Sequence, residues 1–267
     1  MDEQRNIRQP AVAGLFYPDD PENLKQQILA LMEQVPPLGD AGWQPKALVA
    51  PHAGLRYSGP VAASAYATLG AHADSIRRVV LLGPSHRIPF RGVATTTASA
   101  YRTPLGLVRI DRPVLDTIEA LPGVTRLDEA HRPEHSLEVH LPFLQIALPE
   151  FTLVPLVVGE AEPETVASVL EALWGGPDTL IIVSSDLSHY LDYRTAKAID
   201  AETCRAIECC DGSLLDPYRA CGCRPLAGLL RVARERGLKT VTLDLRNSGD
   251  TAGPRTEVVG YGAWAFH

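Results

Sequence analysis

Short, almost wholly apolar segments alternate with helical segments along this chain of 267 residues, and that alternation limits the fold more than any other feature. Segments such as VVLLG and TLIIV lack the polar–apolar alternation of a strand with one wet face, so they predict strands that are buried on both sides. Residues 21–35, by contrast, have the apolar spacing of a helix. The pattern predicts an α/β fold: one domain over residues 1–267, with a central, mostly parallel but mixed sheet and helices on both faces.

Charge and hydropathy exclude two classes of partner. The formal net charge is −7 and there is no run of lysine and arginine, so we expect no nucleic-acid partner. No apolar run approaches the ~18–20 residues that span a bilayer. The first ten residues also lack the basic-then-apolar order of a signal peptide. We therefore expect no membrane association and a cytoplasmic location.

Three of the predicted strands end in polar side chains. KALVAPHAG leads to His52, RRVVLLGPSH leads to His86, and TLIIVSSDLSH leads to Asp186 and His189. Ligands of open α/β sheets bind beyond the carboxyl ends of the strands. A single histidine in such a place is typical of a loop, and the aspartate also suits a helix cap. Three strands with the same ending favour a shared site in which these four side chains converge.

A fourth group of polar residues lies in the segment RPEHSLEVHLPF. It contains Glu134, His135, Glu138 and His140, but their spacing is not that of an H-E-x-x-H zinc-protease helix. His135 and Glu138 are three positions apart and could share one helix face. The segment suits either an ordinary helix start or a group that fixes the ring tautomers of metal ligands, and spacing alone leaves both open.

All five cysteines lie between positions 204 and 223, which is not the framework of a secreted disulfide protein. Cys221 and Cys223 precede a helical run, and a thiolate near a helix N-terminus has a lowered pKa that favours metal binding. A C-x-C pair is a weaker metal signal than C-x-x-C. We expect the other cysteines to be free thiols.

Seven motifs in chain order resemble those of the Memo family, whose bacterial and archaeal members are called AmmeMemoRadiSam system protein B. The motifs are AVAGLFYP, APHAGLRYSG, LLGPSH, TPLG, EHSLEVHLPFL, VSSDLSHY and CGCRP, and they cover nearly the whole chain. The resemblance implies an α/β fold similar to that of the class III extradiol ring-cleaving dioxygenases, which use non-haem Fe(II).

The resemblance also implies a metal ion held by two histidines and a cysteine. By motif, the ligands would be His52, His86 and Cys221, with Fe(2+) as the expected metal and copper as the alternative. His189 would match the catalytic base of the dioxygenases, and Asp186 would lie beside it. The related dioxygenases have a carboxylate where this chain has the cysteine. A sulfur ligand makes copper, zinc and iron all suitable.

Further residues are expected around this metal. Tyr57 and Ser58 follow the first ligand and would line a substrate pocket. The residues His135, Glu138 and His140 would form a second layer around the metal or part of the pocket wall. Cys223 stands where relatives often carry another residue, and its thiol could compete for the metal or form a disulfide with the neighbouring ligand.

Three functions fit these observations. The first is a redox-active, dioxygenase-like metalloprotein with an unknown substrate. The second is a non-catalytic module that binds a peptide or partner, since the family name implies association with an AMMECR-type protein and a radical SAM protein. The third is the storage or delivery of iron or copper, to which the cysteine-rich residues 204–223 would contribute.

Overall fold

One large mixed sheet forms the centre of the molecule, as predicted. A computed structural model describes residues 6–36 and 42–267. The middle of the sheet consists of four parallel strands, which in spatial order are β2 (Ala47–Ala50), β9 (Thr179–Ser184), β3 (Arg78–Pro84) and β8 (Thr152–Val158). Almost every residue of these strands is buried, which explains their continuous apolar sequences.

Antiparallel strands extend the sheet on both sides. Beside β2 are β12 (Val258–Phe266) and its two further partners, β10 (His189–Leu191) and β11 (Thr240–Asn247). Beyond β8 are β4 (Val93–Thr95) and β7 (Val124–Arg126). A separate small sheet contains β1 (Ile7–Arg8), β5 (Ala100–Thr103) and β6 (Gly106–Arg109). The predicted mixed sheet is confirmed.

Helices pack against both faces of the large sheet. One layer contains α1 (Pro21–Glu33), α2 (Leu55–Tyr66) and α5 (Leu141–Ala147), and the other contains α6 (Pro163–Ala172), α7 (Tyr193–Glu208) and α8 (Cys223–Arg236). Three short helices complete the set: α3 (Arg112–Ile118), α4 (Asp128–His131) and α9 (Ser248–Thr251). Within the two described ranges, no helix is long and apolar enough to cross a membrane.

The parallel centre brings the polar strand ends together. Because β2, β3 and β9 run in the same direction, the segments that follow them leave the sheet at the same edge. The short strand β10 returns along this edge and begins at His189. At Tyr190 the pairing register shifts, and this residue has a φ of 57°, in the left-handed region. Such a bulge changes the direction in which neighbouring side chains point.

A buried carboxylate lies beneath this edge. Asp200 of α7 is 3% exposed, and its Oδ1 accepts the N–H of Ser188 at 3.1 Å. Its other oxygen packs against Gly260, where an added Cβ would lie 2.0 Å away. No cation within the described residues forms an ion pair with it. Burial raises the pKa of Asp200 to about 6, although the hydrogen bond from Ser188 opposes that rise.

We expect Asp200→Asn to change how the free energy of unfolding depends on pH. Because the folded-state pKa of about 6 lies above the ordinary value of 3.8, the folded protein holds this proton more tightly than the unfolded chain. Wild-type stability should therefore fall as pH rises through this window. The cost approaches about 3 kcal/mol at neutral pH. Urea denaturation from about pH 4 to pH 7 should show the variant gaining stability relative to wild type.

The exposed carboxylate Asp74 provides the control substitution, Asp74→Asn. A stability difference between Asp200→Asn and wild type that stays constant over the whole pH range would contradict this account.

Candidate metal centre

Three histidines from different parts of the chain meet at the polar edge of the sheet. His52 follows β2, His86 follows β3, and His135 lies in the loop before the 3-10 turn Glu138–His140. One ring nitrogen of each lies within 4.8 Å of the other two. The ring centroids are 5.1 Å apart for His52 and His86, and 4.6 Å apart for His86 and His135. This cluster is compatible with a metal site.

Hydrogen bonds to Ser184 fix the tautomer of His52. The Ser184 hydroxyl donates to the carbonyl oxygen of Ser136 at 2.6 Å, so its only proton is used there. Its oxygen can then only accept from Nδ1 of His52, at 2.5 Å, and from Nε2 of His140, at 2.7 Å. His52 therefore carries its proton on Nδ1. The lone pair on Nε2 faces the sulfur of Cys221, 3.4 Å away.

Glu134 fixes the tautomer of His86 in the same way. Its carboxylate accepts from the backbone N–H of His86 at 2.6 Å and from Nδ1 of the same residue at 2.9 Å. Burial alone would raise the pKa of Glu134, but these bonds outweigh burial and hold it at about 2. An ionised carboxylate can only accept, so Nδ1 of His86 carries a proton, and no described residue forms a hydrogen bond with its Nε2. Carboxylate–histidine pairs of this kind commonly orient metal ligands.

His135 has a buried ring nitrogen without a partner. Its Nδ1 lies 3.3 Å from Oε1 of Glu134, but it forms no hydrogen bond with any described residue. The ring is held between His86 and the edge of Phe16, whose centroid is 4.9 Å away. Burial lowers the pKa of His135 to about 4 and that of His52 well below its usual range. Both are therefore neutral at pH 7, as metal binding requires.

Cys221 lies against His52 but outside the three-histidine group. Its Sγ is 3.4 Å from Nε2 of His52 and accepts the N–H of Asp186 at 3.3 Å. Burial, and then the charge of Asp186, raises the pKa of the Cys221 thiol far above its usual range. This sulfur would thus have to lose a proton in order to bind a metal. Its role as a ligand stays a prediction.

Asp186 and His189 border the same cluster. Asp186 is 4% exposed, and its Oδ1 accepts the backbone N–H of His52 at 2.8 Å. Burial raises the pKa of Asp186 to about 6, against the effect of this hydrogen bond. His189 is close enough for a charge on it to lower the pKa of His52, and burial lowers its own pKa. The structure thus brings Asp186 into contact with His52, as the sequence predicts, while the catalytic roles expected for Asp186 and His189 stay predictions.

Tyr57 and Ser58, the two residues predicted to line a substrate pocket, differ in solvent exposure. Tyr57 is 38% exposed in the first turn of α2. Ser58, by contrast, is fully buried and donates its hydroxyl to the carbonyl of Ala53 at 2.8 Å. Its hydroxyl is therefore used within the fold.

Glu138 is fully buried behind the cluster and connects it to the N-terminal segment. It forms an ion pair with Arg8, whose side chain is 3% exposed. It also accepts the hydroxyl of Tyr17 at 2.5 Å and the N–H groups of Ala11 and Val12 at 2.7 and 3.0 Å. These bonds satisfy the buried charge and hold residues 8–17 against the segment that carries His135.

His140 lies behind His52 and supports it through Ser184. Its Nδ1 is 2.6 Å from the hydroxyl of Tyr66, which donates to it because Nε2 carries the ring proton. Burial lowers the pKa of His140 to about 3, so the ring is neutral. Sequence reasoning gave no role to Tyr66, which is 74 positions away from His140. It also missed the role of Ser184. For Glu134, the contact with Nδ1 of His86 agrees with the alternative in which this segment fixes ring tautomers.

The remaining cysteines are separate from the histidines. Cys204 and Cys210 contact the hydroxyls of Thr242 and Thr240 on β11 at 3.4 and 3.5 Å. Cys223 is buried as the first residue of α8. All five thiols are free.

The family model and the curated relatives similar to this chain agree on one family. The family model for "Memo-like protein" matches residues 8–265. A MEMO1 family protein of Methanothermobacter thermautotrophicus is 37% identical over 96% of this chain and 98% of its own length. One from Methanopyrus kandleri is 36% identical over 97% of this chain and 98% of its own. Among solved structures, an uncharacterized protein from Escherichia coli K12 is 12% identical, with a TM-score of 0.49 over 80% of this chain and 98% of that one.

We expect Ser184→Ala to weaken metal binding by about 10–100-fold, the usual effect of removing a group that orients a metal ligand. Without this hydroxyl, Nδ1 of His52 loses its acceptor and either ring nitrogen can carry the proton. Competition with a chelator of known affinity measures the change. Ser64→Ala, which removes a buried hydroxyl that contacts no histidine, is the matched control. Equal metal affinities for Ser184→Ala and wild type would show that Ser184 does not orient His52.

Proposed function

This chain belongs to the Memo family, and on that premise we propose that it binds one redox-active transition-metal ion, Fe(II) or alternatively copper, at His52 and His86. One observation carries the proposal. Ring nitrogens of three histidines lie within 4.8 Å of one another, a hydrogen bond commits Nδ1 in two of the rings, and the buried Nδ1 of His135 has no partner among the described residues. An ordinary buried histidine would have both ring nitrogens satisfied by the protein.

The residues present fit such an ion. Imidazole suits iron, copper and zinc, and a thiolate would shift the preference towards softer metals. The unpartnered Nδ1 of His135 is a further donor in the same cluster. When bound, the metal would supply a Lewis-acidic and redox-active centre, with positions open to a small ligand.

Two residues are candidates for the third ligand. Cys221 is supported by the family motif CGCRP and by the 3.4 Å between its sulfur and Nε2 of His52. His135 is supported by its place in the histidine cluster. The two alternatives differ in proton release, because burial keeps the Cys221 thiol protonated while His135 is already neutral.

The neighbouring groups would serve the chemistry in different ways. His189 would hold or transfer a proton beside the metal, as a general acid or base. Asp186 would position His52 through the hydrogen bond to its backbone N–H. A dioxygenase-like oxidation of a small substrate is the activity that this set of groups supports best.

Metal content tests the proposal directly. Anaerobically purified protein reconstituted with Fe(II) should hold about one equivalent by mass spectrometry. His86→Ala should lower the metal affinity by more than about 100-fold, since removing a residue that only orients a ligand already costs ~10–100-fold. The control is His72→Ala, because His72 contacts the carbonyl of Trp43 and lies outside the cluster. Binding of less than a tenth of an equivalent, unchanged in His86→Ala, would contradict the proposal.

Proton release identifies the third ligand. Calorimetric titration of zinc into the metal-free protein, in buffers of different ionisation enthalpy, counts the protons released on binding. If Cys221 is the ligand, about one proton more should be released by wild type than by Cys221→Ser at pH 7. If His135 is the ligand, Cys221→Ser should behave as wild type, whereas His135→Gln should bind zinc more weakly. Equal behaviour of both variants and wild type would exclude both residues.

Turnover separates catalysis from the two other functions. Oxygen uptake by the iron-loaded protein with catechols and other phenolic compounds would support an oxidoreductase. No uptake, together with retention of an AMMECR-type or radical SAM partner in a pull-down, would favour a binding module. Transfer of the metal to a competing acceptor without unfolding would favour iron or copper delivery.

A further inference from the structure

A small cavity adjoins Cys221 on the side of α8. Its volume is about 200 Å³, and its wall includes the apolar side chains Ile88, Phe90 and Pro225. Pockets for drug-sized ligands usually measure ~300–1,000 Å³, so this one suits a small molecule or a single ring. Cys221 lines the cavity and also contacts His52, so a single residue separates the cavity from the histidine cluster.

One cationic side chain faces this cavity without a protein partner. Arg224, in the first turn of α8, is partly buried and lines the cavity. Among the residues that the structure describes, none forms an ion pair or a side-chain hydrogen bond with it. A guanidinium presents a planar fork of donors that matches a carboxylate. Leaving such a group unpaired in a partly buried position favours an anionic ligand.

Two of the acidic residues nearby, Glu160 and Glu134, do not cancel this charge. Glu160 also lines the cavity, but its side chain is 68% exposed and its carboxylate lies 4.0 Å from Nε of Arg91. Glu134 is fully used by the hydrogen bonds from His86 and the neighbouring backbone. A second cation, Arg87, lies close enough to the cluster for its charge to lower the pKa of His135.

We propose that this cavity binds a small carboxylate ligand, with the carboxylate on Arg224 and the apolar part of the molecule against Ile88, Phe90 and Pro225. A carboxylate fits better than a phosphate, because one guanidinium can pair both oxygens of a monoanion but leaves a phosphate dianion largely uncompensated. The inference rests on the proposed function in one respect: the ligand would be a substrate or co-ligand of the adjoining metal centre.

Benzoate and its neutral counterpart benzyl alcohol are the probes. Calorimetry on the metal-loaded protein should show benzoate binding at least about tenfold more tightly than benzyl alcohol, as expected for a charge-assisted pair. Arg224→Gln should weaken benzoate binding by about 10–100-fold and leave benzyl alcohol binding unchanged. Arg224→Lys should weaken benzoate binding less. The control is Arg231→Gln on the same helix, because Arg231 pairs with Glu164 and Glu235.

Two further measurements keep this inference apart from the proposed function. Metal content is determined on every sample, and Arg224→Gln should retain the wild-type stoichiometry. The benzoate comparison is repeated on the metal-free protein. Equal benzoate affinity in wild type and Arg224→Gln, no benzoate binding by wild type, or tighter binding of inorganic phosphate than of benzoate would each overturn the carboxylate site. A wild-type protein that binds benzoate through Arg224 but holds no metal would overturn the proposed function alone.

Discussion

The hydrogen bonds of one buried carboxylate, Glu134, organise the polar edge of this molecule. Glu134 is 1% exposed. Its two oxygens accept from the backbone N–H and the ring Nδ1 of His86, and from the backbone N–H groups of His135 and Ser136. A buried negative charge is tolerable only with such a set of donors. These bonds join the segment after β3 to the segment before the Glu138–His140 turn. Glu134 therefore holds both His86 and His135 in place.

The third histidine, His52, is held by a chain of hydrogen bonds in which each donor and acceptor is defined. Tyr66 donates to His140, His140 donates to Ser184, and Ser184 donates to the carbonyl of Ser136. This order leaves Ser184 only able to accept from His52. The carboxylate and the hydroxyl thus have the same effect by different chemistry, since each keeps a proton on Nδ1 of the histidine it contacts. Preorganisation of this kind lowers the cost of binding a metal ion.

The sequence predicted the parts of this arrangement that follow from strand direction. β2, β3 and β9 are continuous apolar runs, so their pairing, and the convergence of His52, His86 and Asp186 at one edge, could be inferred from the residues alone. The strands β10 and β1 are too short to carry a clear pattern. The contact of Cys221 with His52 was expected only from the family resemblance, because C-x-C spacing is a weak signal.

The supporting residues were harder to find for a physical reason. Hydrogen-bond partners such as Ser184 and His140 are 44 positions apart, and no local periodicity links them. The segment RPEHSLEVH indicated residues able to coordinate a metal. Whether the ring of His135 points into the cluster or away from it depends on the loop conformation, which residue spacing does not determine. For Glu134, the signal in the sequence was its position directly before His135.

A crystal structure of the metal-loaded protein, with anomalous scattering at the iron, copper or zinc edge, tests the central claim most directly. The account predicts one metal peak, bonded to Nε2 of His52 and Nε2 of His86 at distances near ~2.1 Å. Nδ1 of His52 should still face Ser184, and Nδ1 of His86 should still face Glu134. A metal peak away from these two histidines, or coordination of either one through Nδ1, would contradict it.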